Sequence, residues 1–249
     1  MNIRYITCSD PRNHNTHDEM FDLWKIDPRV EIAVQMHPGK VSPGTDRYNW
    51  IKQLVDKIYP MPLWAKPNLA IHVNNDWCDE ICNGKIPRAL EPLFNACLYY
   101  CFSPIVGRIQ LNMPQKTADN FDAQKLKSLI DCFPTQDFII QYNTRTQSAV
   151  NELHKAGAKF QLLFDASGGR GIDAAEWRAP VFPGKRAQGY SGGLSPENIA
   201  GNLDKIATVA DRHTIWTDAE GKLKTDDKFD VKRAAAYIKN ALAWEQKHR

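Results

Sequence analysis

What the chain does not contain excludes more than its motifs assign. No stretch approaches the apolar length needed to span a bilayer, and the opening MNIRYITC enters a strand without the apolar core of a secretory signal. The formal charge is only +3, with Lys and Arg scattered among Asp and Glu, so there is no basic face for nucleic acid and no cationic patch for a membrane surface. Linkers, low-complexity tracts and composition shifts are also missing. These absences lead us to expect a cytoplasmic protein folded as one domain over residues 1–249, with a small-molecule substrate and an oligomeric state that the sequence leaves open.

Six cysteines without an export signal fit a reducing compartment, where they count as small buried apolar residues. Cys78 and Cys82 stand four apart, as do Cys97 and Cys101, which puts each pair on one helix face. Zinc knuckles place their cysteines closer together in loops, and Ile81, Leu90, Leu93 and Leu98 give this stretch a core stripe instead. No metal and no cofactor are expected.

What is present is a repeating alternation of strand and helix. Strands are expected over Ile3 to Cys8, Glu31 to Met36, Leu69 to Val73, Ile105 to Leu111, Phe138 to Tyr142, Phe160 to Phe164, Arg186 to Tyr190 and His213 to Thr217. Amphipathic helical segments follow them, among them Thr16 to Trp24, Tyr48 to Ile58, Ala123 to Cys132, Thr146 to Ala156, Pro196 to Val209 and Val231 to Trp244. The crossover from Asp76 to Phe102 is long and should hold two helical pieces broken near Gly84 and Pro87. Eight strand-then-helix units in 249 residues point to a single (β/α)8 barrel with an enlarged third crossover.

In such barrels the reacting groups sit at the C-terminal ends of the strands and in the loops after them. That filter returns Cys8, Gln35 or His37, Asn74, Gln110 with Asn112, Asn143 with Arg145, Asp165, Ser191, and Asp218 with Glu220. A thiol on the first strand and a carboxylate on the sixth would face each other across the mouth as base and acid. Two glycine turns follow strands, Gly168, Gly169 and Gly171 after the sixth and Gly192 with Gly193 after the seventh. The second leads into Ser195 and Pro196, a helix-start signal, so it reads as an anion site on a helix N-terminus.

These residues resemble phosphoribosylanthranilate isomerase of tryptophan biosynthesis, a barrel of the ribulose-phosphate-binding kind. RYITC is similar to that family's opening strand with its catalytic cysteine, LLFDASGGRG with Trp177 to its sixth strand and loop, and YSGGLSPEN to its seventh. Fainter similarities are LAIHVN, IQLN, Arg47 with Tyr48, and AYIKNA. The resemblance implies a cofactor-free Amadori isomerisation, with Asp165 opening the sugar ring as acid and Cys8 removing a proton from the adjacent carbon. It also implies a phosphate held by Gly192, Gly193 and the loop at Gly221, with Arg47, Gln110, Asn112, Gly168 and Gly169 around the substrate.

The chain departs from the family at that site. Asp218 and Glu220 precede Gly221 where the family has a Ser-Ser-Gly loop, Arg170 replaces a small residue, and Asn112 stands for a histidine. Three readings follow. The protein is an isomerase of this type, or a barrel enzyme for a different small acidic or sugar-like substrate, with Asp218, Glu220 and Arg170 among its contacts, or a non-catalytic binding barrel.

Overall fold

A computed structural model describes residues 1–95, 105–165, 176–182 and 186–248. Eight parallel strands run in chain order and close into a barrel. They are β1 (Asn2–Ser9), β2 (Val30–Met36), β3 (Asn68–Asn74), β4 (Val106–Asn112), β5 (Asp137–Tyr142), β6 (Gln161–Asp165), β7 (Gln188–Ser191) and β8 (Thr214–Ala219). The helices between them are α1 (His17–Trp24), α2 (Asp46–Ile58), α3 (Asn75–Cys82), α4 (Glu91–Asn95), α5 (Gln115–Asp119), α6 (Ala123–Cys132), α7 (Gln147–Lys155), α8 (Ile199–Val209) and α9 (Val231–Lys247). The expected (β/α)8 class is therefore the observed one. The enlarged crossover holds α3 and α4, with a break at Gly84, whose φ of +77° suits glycine. Cys97 and Cys101 lie outside the described residues.

The chain divides into two compact units, Met1–Ala33 with Leu162–Arg249, and Val34–Gln161. In the first unit, period-two alternation gives each strand two unlike faces. Ile6 and Cys8 of β1, Leu162 and Phe164 of β6, Tyr190 of β7 and Ile215 of β8 are buried on the helix side. There Phe164, Tyr190 and Trp177 form an aromatic cluster with ring centroids 5.7–6.3 Å apart. The opposite face points into the barrel. Leu163, Gly189 and Trp216 are partners at one level of it, and Gly189 is required there by close approach: a Cβ would fall 2.3 Å from the Trp216 ring and 2.6 Å from Leu163 Cδ1. Helix α9 closes this unit with a stripe of Ala234, Tyr237, Ile238, Ala241 and Trp244 at helical spacing. Its Asp230 cap accepts from the amides of Lys232 and Arg233.

The second unit repeats the pattern. Val34, Ile71, Val73, Ile109, Leu111, Phe138 and Ile140 are buried on the helix side, while Gln35, His72, Arg108, Gln110, Gln141 and Gln161 are buried on the inner face. Arg108 Nη2 donates to Gln161 Oε1 at 3.2 Å. Helix α2 starts at Thr45, whose hydroxyl accepts from the Tyr48 amide.

One local expectation is corrected. Helix α8 begins at Ile199 and not at Pro196, because Ser195 and Asn198 bond to each other's amides and form a turn first. After β8 the chain also builds a short 3-10 turn, Gly221–Leu223, and a hairpin of β9 (Lys224–Thr225) with β10 (Lys228–Phe229). Asp226 and Asp227 form that hairpin's turn with φ of +51° and +58°, the left-handed pair that a two-residue connection needs.

Gly189→Ala should destabilise the fold by about 1–3 kcal/mol through overpacking against Trp216. In a Trp216→Leu background the same change should cost less than half as much, which urea denaturation of the four-variant cycle would check.

Candidate active site

The strand register builds the site. Asp165 pairs with Ser191, Ser191 with Asp218, and Asp218 with Thr7, across β6, β7, β8 and β1. Register partners in parallel strands point to the same face, so the four side chains form one inward row near the strands' C-terminal ends. Neighbouring strands are about 4.8 Å apart, which puts the Asp165 and Asp218 backbones roughly 10 Å apart with Ser191 between. All three are buried, at 4%, 8% and 8% exposure for Asp165, Ser191 and Asp218. Ser9, two residues beyond Thr7 on the same face, donates its hydroxyl to Asp218 Oδ1 at 2.5 Å. Thr7 donates to Glu31 Oε1 at 2.8 Å.

Behind this row lies a second layer of charge. Asp10 follows β1 in the left-handed region, φ +69°, and is buried. Its Oδ2 accepts from Arg12 Nε and Nη2 at 3.1 and 2.7 Å and from Lys224 Nζ at 2.8 Å. Lys224 also reaches Glu220 Oε1 at 3.3 Å. The hydrogen bond to Asp10 holds the Arg12 guanidinium above its ordinary range, against a smaller opposing effect of burial. Asn15 Nδ2 donates to Phe229 O at 3.2 Å, so the loop after β1 and the hairpin after β8 are tied together. Sequence reasoning missed this tie, because an Asp-Asp turn lacks the glycine that normally announces a hairpin.

The two carboxylates that stood against a phosphate are thus engaged within the protein, Asp218 with Ser9 and Glu220 with Lys224. Gly221 opens the 3-10 turn with empty space where a Cβ would be. Gly192 and Gly193 do form a turn, with φ of +127° and +63°, and Asn198 Nδ2 holds Gly193 O at 2.9 Å. Leu194–Asn198 separates that turn from α8, and Asn198 Oδ1 takes the Ser195 amide, so the glycine turn does not run directly into the helix N-terminus. Gly168, Gly169, Arg170 and Gly171 lie outside the described residues.

Cys8, expected as the base, is placed apart from Asp165. It is fully buried on the helix side of β1, toward the buried Tyr237 of α9. Burial, with the charge of Asp218 adding to it, pushes the thiol far above its ordinary range. A thiol so placed does not share the inward face of Asp165.

In the second unit, Gln110 and Asn112 face inward on β4, beside Asn74 and His72 of β3, and are joined by side-chain hydrogen bonds. Arg47 Nη2 reaches Gln35 O at 3.4 Å. Asn143 and Arg145 serve a turn, with Asn143 Oδ1 accepting from the Arg145 amide. Trp177 is a structural anchor, its indole donating to Asn202 Oδ1 at 3.2 Å. Among the described residues, no three His, Cys, Asp or Glu side chains are placed to hold a metal ion, and no helix is long and apolar enough to cross a membrane.

Two measurements check this geometry. A small maleimide at pH 8 should label exposed Cys132 quickly and Cys8 only after unfolding, as peptide mass spectrometry would show. Lys224→Met should lower stability by about 1–3 kcal/mol in urea denaturation, because buried Asp10 loses one of its cations.

No protein-family model matches the chain, and no curated protein matches it. Among solved structures the chain is similar to N-(5'-phosphoribosyl)anthranilate isomerase from Pyrococcus furiosus, at 11% identity and a TM-score of 0.50, over 96% of this chain and 98% of that one. At that identity the likeness establishes the barrel fold.

Proposed function

We propose that the protein is a barrel enzyme that isomerises a small hydroxylated substrate of the aldose type by carboxylate acid/base chemistry, with Asp165 and Asp218 in the two roles. The observation that carries this reading is the inward row Asp165, Ser191, Asp218 on three adjacent strands at the end where barrels gather their chemistry. Asp165 acts as the acid that protonates the ring oxygen and opens the sugar. Asp218, oriented by Ser9, removes the proton from the carbon beside the new C=N or C=O bond, and that proton is replaced on the neighbouring carbon as the ketose forms. Ser191 between them offers a hydroxyl to the substrate. Cys8 supports β1 against α9 and moves no proton.

A second reading keeps phosphoribosylanthranilate itself as substrate, within tryptophan biosynthesis. The Gly192–Gly193 turn beside the row favours it, and so does the fold shared with the isomerase from Pyrococcus furiosus. In that case the phosphate lies on the glycine turn, with Asp218 and Glu220 held back by Ser9 and Lys224.

Both readings meet in one experiment, turnover of a panel of aldoses, aldose phosphates and freshly generated phosphoribosylanthranilate by wild type, Asp165→Asn, Asp218→Asn and Cys8→Ala. One substrate should turn over, with losses of roughly 10²–10⁴ in the two Asp variants and most activity kept in Cys8→Ala. A Cys8→Ala loss as large as that of Asp165→Asn would overturn the assignment, and inertness of the wild type across the panel would favour a binding barrel.

A further inference from the structure

The ends of β2, β3 and β4 carry a closed ring of five side chains, and the acid/base row uses none of them. The backbone fixes the orientation of the whole ring. Asn74 Nδ2 lies 2.9 Å from His72 O and 3.3 Å from Met36 O, two acceptors that its NH2 end must face. The same nitrogen reaches Gln35 Oε1 at 2.9 Å, which turns the Gln35 nitrogen toward His72 Nδ1 at 3.3 Å. On its other side, Asn74 Oδ1 accepts from Asn112 Nδ2 at 2.9 Å. Asn112 Oδ1 then accepts from Gln110 Nε2 at 2.9 Å, and that nitrogen reaches back to His72 Nδ1 at 3.5 Å. Two amide nitrogens converge on His72 Nδ1, which must therefore present its lone pair.

The amide hydrogens of Asn74 are used between Gln35 and the backbone carbonyls, and those of Gln110 within the ring. From Asn112 the ring takes one hydrogen and one oxygen lone pair, and the other hydrogen and lone pair play no part in it. Asn112 is half-buried at the C-terminal end of β4, while His72, Gln110 and Gln35 are buried beneath. An anchored carboxamide in this position offers one donor and one acceptor side by side, with no charge. Two neighbouring hydroxyls match it, since each can both donate and accept, whereas a phosphate or carboxylate would satisfy the donor and oppose the acceptor. We propose that Asn112 reads a vicinal diol of a sugar or polyol, and that Gln35, His72, Asn74 and Gln110 are positioning residues that hold its amide in one of its two flips. Pre-orientation matters because an untethered amide presents the wrong atom in its other flip.

The test is an NMR titration of the full chain with two pairs of probes: methyl β-D-ribofuranoside against its 2-deoxy counterpart, and cis-1,2-cyclohexanediol against cyclohexanol. In at least one pair the diol should shift the Asn112 side-chain amide resonances and bind at least about tenfold more tightly than its partner, as a site built to hydrogen-bond a hydroxyl requires. Asn112→Leu should abolish that preference with the fold intact by circular dichroism. Gln35→Met, which removes a ring member and leaves Asn112 in place, should weaken the preference. Absence of any diol preference in wild type, or its persistence in Asn112→Leu, overturns the proposal. Turnover losses in the Asp165 and Asp218 variants without a diol preference would keep the proposed function and reject this inference, and the opposite pair of results would do the reverse.

Discussion

Everything at the candidate site depends on the phase of the strand alternation in β1 and its neighbours. Both faces of each strand are buried, but one meets the apolar helix layer and the other a barrel interior that turns polar above the Leu163–Trp216 level. A slip of one residue in β1 would turn Ile6 and Cys8 inward and drive Thr7 and Ser9 into the helix layer. Each hydroxyl left there without a partner would cost about 1–3 kcal/mol, and the apolar contacts of Ile6 would be lost as well. The observed phase wins on both counts. Because β6, β7 and β8 are in register with β1, the same choice puts Asp165, Ser191 and Asp218 on the inner face and Cys8 on the outer.

Charge then fixes what alternation positions. Asp10 is a buried carboxylate, and burial of such a group requires partners that stay charged. Arg12 and Lys224 supply them, and Lys224 brings Glu220 and the hairpin after β8 with it. Two strands of the inward row, β1 and β8, therefore have outgoing loops that are braced against each other. A braced support is what acid/base chemistry needs, since proton transfer falls off steeply when a group strays from hydrogen-bonding reach.

Much of this was legible in the residues. The barrel followed from eight strand-then-helix units, and the strand-end rule selected Asp165, Ser191 and Asp218 before any geometry. The direction of Cys8 was legible too, in the alternation of apolar Ile6 and Cys8 with polar Thr7 and Ser9. The likeness of RYITC to a strand with a catalytic cysteine outweighed that signal. What remained hidden depends on contacts between distant segments. Ser9 meets Asp218 across 209 residues of chain, the hairpin turn is made by two aspartates in an unusual conformation, and the amide ring spans three strands whose pairing no local pattern reports. His72 was passed over because it lies inside a strand, although a polar residue between Ile71 and Val73 marks an inward position.

The phase of β1 can be read directly from side-chain proton contacts. In a nuclear Overhauser spectrum of protein labelled at cysteine and tyrosine, the Cys8 β-protons should show cross-peaks to the Tyr237 ring of α9. Cross-peaks from Cys8 to the Asp218 β-protons on neighbouring β8, with none to Tyr237, would place the thiol on the inner face, contradict the assignment of Asp218 as the base, and restore Cys8 as the partner of Asp165.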